Sequence, residues 1–264
     1  GDGVNDALAL KKADIGISMG ITGTDVAKNT AEVILTDDNF ASIVAAVEEG
    51  RIIYSNIKKF VFFLLSCNIG EVLVIFLSIL FNWDVPLLPI QLLWLNLVTD
   101  SFPALALGME KGDPEIMDVA PRNPNEPILD KDMIKALIVQ STAIGIGTLG
   151  AYYWGMSVYG TENLYYARTI TFATLITAEL LRAFSSRSLT HSVLKIGVFS
   201  NKTMNKATLF AFFLLLVVIY VPALEPIFDT FALGISDWLG IAAFSIIPLV
   251  FGEVYKVIVH RDVN

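Results

Sequence analysis

From residue 61 onward the chain consists of long apolar stretches separated by short polar ones. A hydrocarbon layer of about 30 Å takes roughly 20 helical residues at about 1.5 Å each. Six stretches have that length, at about 61–81, 87–108, 133–155, 167–185, 207–224 and 237–259. They predict a mainly α, polytopic membrane protein built on a six-helix transmembrane bundle. The segment Asn82 to Val85 leaves room only for a tight hairpin between the first two spans. Before Phe60 the pattern changes. ADIGISMG and VILTDDNF read as short strands, each ending in a Gly or polar turn. ASIVAAVEEGRIIYSNIKKF is amphipathic and runs without a breaker into the first span. One long helix is therefore expected, with residues 41–60 as a cytoplasmic stalk.

Charge orients the spans. Lys and Arg cluster before the first span (Arg51, Lys58, Lys59) and after the second (Lys111, Arg122, Lys131, Lys135). They recur after the fourth (Arg187, Lys195, Lys202, Lys206) and after the sixth (Lys256, Arg261), whereas loops 82–86, 156–166 and 225–236 have none. By the positive-inside rule both chain ends are expected in the cytoplasm, the last being a tail at 260–264. The expected setting is the plasma membrane, with lipid as a partner. The Pro- and charge-rich loop 109–132 is expected to be a cytoplasmic loop ordered by its contacts. Only 17% of the 264 residues are charged, against about a quarter in a soluble domain. A net charge of -8 gives no reason to expect a nucleic-acid partner. One cysteine, Cys67, excludes a disulfide framework. The chain opens on GDGVNDALAL, with no initiator Met and no basic leader, and so is expected to follow a missing N-terminal part of the same protein.

An ionisable side chain inside a span is expensive and is a functional candidate by default. The first span carries Asn68 and Glu71, the second Asn96, Thr99 and Asp100, and the fourth Glu179. Spacings of three and four residues put each group on one helical face, and the hairpin can bring the first two groups together. Three carboxylates with amide and hydroxyl oxygens would make an oxygen-rich cage of the kind calcium takes. Pro103 should deprive Thr99 of a helical partner and break the second span at the ion site. Arg182, three residues after Glu179, could pair with it and hold it away from the cage. Gln91 reads as an interface residue near the outer end of its span.

The N-terminal string GDGVNDALALKKADIGISMG has a different chemistry. Glycines flank Asp2, and Asn5 and Asp6 follow closely, so two carboxylates and an amide can converge. Hard oxygens of this kind suit magnesium holding a phosphate group.

This string resembles the magnesium-binding loop of P-type ATPases, and the likeness continues through GTDVAKNTAEVILTDDNFASIVAAVEEGR and the rest of the chain. The resemblance implies that residues 1–40 are the end of a haloacid-dehalogenase-like α/β phosphorylation domain, and that 61–259 holds the family's helices five to ten. Asp2 would ligate magnesium, with Asn5 and Asp6 supporting the metal and phosphate. ATP would be bound elsewhere in the full-length protein. The aspartate that receives the phosphate is absent from this chain, which is not expected to hydrolyse ATP alone. SCNIGEVL and QLLWLNLVTDSFPALALG resemble helices five and six of calcium pumps of the sarcoplasmic-reticulum type. By that likeness Asn68, Glu71, Asn96, Thr99, Asp100 and Glu179 are calcium ligands, in two sites, one of which also needs a missing helix. Leu8 stands where the family usually has Pro, and Ser101-Phe102 where it has Gly-Leu. Glu71 and Asp100 would exchange calcium for protons as an aspartyl-phosphate cycle exports calcium from the cytoplasm. The alternatives are a P-type pump for sodium or manganese, and a membrane channel or subunit without catalysis.

Overall fold

The computed structural model describes residues 1–123 and 125–259; the predicted tail at 260–264 and Arg261 lie outside the described residues. The chain divides into two units, Gly1–Tyr54 with Pro114–Ala120, and Ser55–Asp113 with Pro121 onward.

The first unit holds α1 (Ala7–Lys12), β1 (Ile17–Met19), α2 (Asp25–Thr30), β2 (Val33–Leu35) and the start of α3 (Phe40–Leu80). β1 and β2 pair in parallel, Ile17 with Val33 and Met19 with Leu35. A parallel pair needs a crossover, and α2 supplies it, capped by Thr24, whose hydroxyl accepts from the Ala27 N–H at 3.4 Å. Leu10, Ala27 and Leu35 are the buried apolar residues of this small unit. Arg51 on α3 donates to the carbonyls of Ile116 and Val119 at 2.8 and 2.7 Å, which orders that part of loop 109–132 as expected.

The second unit is helical. α3 continues to Leu80, and then come α4 (Pro89–Trp94), a wide π-helical turn (Leu95–Thr99) and α5 (Ser101–Gly108). α6 (Lys131–Tyr159), α7 (Leu164–Ser185), the short α8 (Val193–Ile196), α9 (Lys202–Tyr220), the short α10 (Glu225–Phe228) and α11 (Ile235–Val259) follow. α9 ends four residues before the expected limit because Pro222 disfavours helical geometry in the residue before it. Among the described residues five helical segments are long and apolar enough to cross a membrane: Phe40–Leu80, Pro89–Gly108, Lys131–Tyr159, Lys202–Tyr220 and Ile235–Val259.

α7 is not among those five, and its environment explains why. Its 22 residues match a bilayer in length, but it carries Arg168, Glu179, Arg182 and four threonines. It packs against α6, α9 and α11, and from Ala167 to Ser185 it is buried almost throughout. A helix surrounded by protein has no need of an apolar surface all round. Thr169 and Thr171 satisfy themselves locally, donating to the Tyr165 and Ala167 carbonyls at 2.8 and 2.7 Å. The core around it includes Val74, Leu95, Ile144, Leu175, Leu215 and Ile241. Outward-facing Val72, Phe76, Leu97, Ile138, Leu209 and Leu239 are exposed, the surface lipid would cover. Gln91 is fully buried, not interfacial; it accepts from the Leu88 N–H and donates to the Phe228 carbonyl at 2.9 Å.

At the ends of the helices a buried ion pair joins segments of this unit. Arg187 donates to Glu110 at 2.7 and 3.2 Å, and Asn201 donates to the same carboxylate at 2.7 Å. Lys58 pairs with Asp130, the N-cap of α6, at 2.6 Å.

Candidate cation site

The buried face of α3 runs through Phe63, Cys67, Gly70, Glu71, Val74 and Ser78. Gly70 is required where α3 meets α6: a Cβ there would lie 2.7 Å from Cγ2 of Ile144. That close approach carries Cys67 and Glu71 into the bundle. The other side of the site comes from the π turn. The Asp100 N–H donates to the Leu95 carbonyl five residues back at 3.0 Å, and the Thr99 hydroxyl donates to the same carbonyl at 3.0 Å. The expected break in this span is therefore a widened turn, followed by Pro103, which has no N–H to offer Thr99. Wide turns of this kind recur at functional sites because they rotate side chains away from the regular helical register. α7 contributes Glu179.

Glu71 and Asn96 meet directly, Asn96 Nδ2 donating to Glu71 Oε2 at 2.7 Å. Asp100 and Glu179 meet around Cys67: one carboxylate oxygen from each and the Cys67 Sγ lie within 4.8 Å of one another. Glu71 is close enough to act electrostatically on both. No nitrogen or hydroxyl donor points at either oxygen of Asp100, at either oxygen of Glu179, or at Oε1 of Glu71, and all five atoms are buried. A buried acceptor without a donor costs free energy, and a buried carboxylate costs more. Asp100 and Glu179 thus lack such donors at both oxygens, and Glu71 at one.

Two expected site residues lie differently. Asn68 is exposed, and its Nδ2 donates to the Leu64 carbonyl at 2.8 Å, one turn back on its own helix. Thr99 is buried, with its hydroxyl proton directed at Leu95. Arg182 also departs from expectation. It is fully buried, but its Nη2 turns toward α3, donating to the Phe63 carbonyl at 2.9 Å and to Ser66 Oγ at 2.5 Å. Its guanidinium stacks near the Phe62 and Phe63 rings. No ion pair joins it to Glu179 among the described residues, so Glu179 keeps its place in the cluster. Cys67 was missed as a site residue because a cysteine in an apolar run has no sequence signal separating it from a core residue.

At the N-terminus, Asp6 Oδ2 accepts from the backbone N–H of Asp2 and Gly3 at 2.9 and 3.0 Å. These bonds hold the Asp6 carboxyl below its ordinary pKa. The Asn5 Oδ1 lies close over Gly3, where a Cβ would make the exposed Asn5 side chain shift. Asp2 and Asn5 are exposed at the turn. The Asp2 carbonyl accepts from the Thr24 N–H at 2.8 Å, which pins the turn beside α2.

A family model described as the C-terminus of cation-transporting ATPases matches residues 84–258. The chain belongs to this family. Its relatives include a calcium-transporting ATPase of Bacillus subtilis, 48% identical over 94% of this chain and 28% of that protein. Calcium-transporting ATPase 1 of Bacillus cereus is 46% identical over 97% of the chain and 30% of that protein. Calcium-transporting ATPase type 2C member 1 of Pongo abelii is 42% identical over 97% and 28%. The chain thus spans under a third of the length of these relatives. As a member of this ATPase family it is a multi-pass membrane protein, mainly α, as its sequence led one to expect.

Proposed function

We propose that this chain is the ion-binding and magnesium-loop part of an ATP-driven pump that exports calcium from the cytoplasm through an aspartyl-phosphate cycle. The convergence of Glu71, Asp100 and Glu179 carries the reading, since five buried carboxylate oxygens that no nitrogen or hydroxyl donor reaches call for a cation, and all-oxygen donors suit calcium. The likeness to calcium-transporting ATPases supports the same ion. Asn96 and Thr99 supply further oxygens, and Asn68, on the exposed side of α3, would face ligands from the missing part of the protein. In this reading α3, Phe40 to Leu80, transmits the movement of the phosphorylation cycle to the ion ligands. Both ends are cytoplasmic in this reading, and the membrane is the plasma membrane.

The N-terminal turn fits a magnesium ion. Asp2 is open to solvent, and Asp6 shapes the loop with Oδ2 while leaving Oδ1 to the metal, Asn5 standing beside them. Magnesium held there would neutralise charge on a phosphoryl group. The chain's own residues orient the turn and keep its glycine-flanked backbone accessible.

The test is phosphorylation of the full-length protein from ATP at graded calcium, sodium and manganese. Calcium at micromolar levels should support it, and Glu71→Gln should shift the calcium requirement upward at least about tenfold, a loss of roughly 1.4 kcal/mol of binding. Phosphorylation driven by sodium or manganese with no response to calcium would reassign the ion. A Glu71→Gln protein with an unaltered calcium curve would remove Glu71 from the site.

A further inference from the structure

Cys67 is fully buried one turn before Glu71 on α3. Its Sγ lies within 4.8 Å of a carboxylate oxygen of Asp100 and one of Glu179. Those carboxylates are at most 1% exposed, and no nitrogen or hydroxyl donor is directed at their four oxygens. Calcium takes oxygen ligands and gains nothing from sulfur, whereas thiolate is the ligand of soft and borderline cations. Zinc takes bonds of about 2.0–2.3 Å, shorter than the about 2.3–2.6 Å of calcium. A thiophilic ion of calcium's size therefore suits carboxylates placed for calcium. Cadmium has nearly the radius of calcium and shares zinc's preference for sulfur.

We propose that Cys67, Asp100 and Glu179 form a binding site for a large thiophilic divalent cation, best matched by cadmium, which shares its two carboxylates with calcium. The proposal rests on reading Asp100 and Glu179 as ion ligands and adds a ligand class that reading lacks. On binding, the sulfur–hydrogen bond is replaced by a sulfur–cadmium bond and the proton leaves to solvent; no oxidant or reductant takes part. Arg182 Nη2, at 3.8 Å from the Cys67 Sγ, donates to the sulfur. Cadmium and calcium then compete for one place, and the thiol decides the preference between them.

Cadmium chloride is titrated into the full-length protein in detergent. Two signals are read: ultraviolet absorption of the cadmium–thiolate bond, and displacement of radioactive calcium at equilibrium. Cys67→Ser should remove one component of the absorption and weaken cadmium at least tenfold more than it weakens calcium. Cys67→Ala, which keeps an apolar side chain in the core, should show the same selective loss and covers the case in which the buried serine disturbs folding. Glu179→Gln should weaken both ions. Equal changes in the two affinities, or cadmium binding indifferent to both Cys67 variants, would overturn the proposal while leaving the calcium reading intact. Cys67-dependent cadmium binding in a protein that binds no calcium would have the reverse meaning: this site stands and the calcium reading fails.

Discussion

Asp38 and Asp100 each precede a helix, Asp38 before α3 and Asp100 before α5, yet their carboxylates are held in opposite ways. Asp38 accepts from the N–H groups of Gly20, Ile21 and Thr22 at 2.6, 2.9 and 2.7 Å, and from the Thr22 hydroxyl at 2.7 Å. Its backbone is left-handed, with φ of 51°, a conformation Asp tolerates better than most residues. Asp100 is buried and has no such donors. A carboxylate saturated by backbone donors pins a turn and has nothing left to offer an ion. One that is buried and unsatisfied costs stability, and inside a membrane span it is a candidate for function by default. The first kind belongs to the N-terminal unit and the second to the helical one.

The comparison breaks most sharply with the same isosteric change at both places. Asp100→Asn in the full-length protein should lower the apparent calcium affinity at least about 100-fold, or roughly 2.7 kcal/mol. It should not lower the thermal unfolding midpoint, because it removes an uncompensated buried charge. A protein that melts early but binds calcium normally would make Asp100 structural, like Asp38. A smaller effect tests how the helical unit positions its carboxylates by packing. Gly70→Ala should push α3 away from Ile144 and cost about 1–3 kcal/mol as overpacking, partly offset by the better helix propensity of Ala. It should appear as a lower unfolding midpoint together with a weaker calcium response.

The smallest effect concerns Asp38. Hydrogen bonds from the Ile21 N–H and the Thr22 hydroxyl hold its carboxyl down to about 2. An unfolded aspartate titrates near 4. With a depressed folded value, its contribution is fully present above about pH 4 and is lost as the pH falls toward 2. Hydrogen exchange at Gly20, Ile21 and Thr22 should accelerate relative to neighbouring amides over that range. Asp38→Asn should remove this pH step and leave the calcium curve as it was.

Much of this was readable along the chain. The lengths of the apolar stretches, the hairpin at Asn82 to Val85 and the continuity of the helix from the stalk are local properties. The placement of carboxylates in spans is also local, because hydrocarbon penalises a charge wherever its neighbours come from. The backbone bonds of Asp6 lie within a few residues of it, so a pattern of Gly, Asp and Asn suffices to suggest the turn. The π turn was half legible: Pro103 marked the irregularity, but its form depends on which carbonyl the Asp100 N–H reaches.

What the sequence determined by itself is the membrane-crossing, mainly helical character of the protein and the candidate carboxylates Glu71, Asp100 and Glu179. Only the tertiary structure decided which side of α3 faces them. Asn68 and Cys67 are adjacent, about 100° apart around the helix, and packing of Gly70 against Ile144 turns the thiol inward and leaves the amide exposed. Arg182 was likewise undetermined, because its partners are the Phe63 carbonyl and Ser66, more than a hundred residues away. Spacing on one helix tells which residues share a face. What that face meets is set by helices distant in sequence.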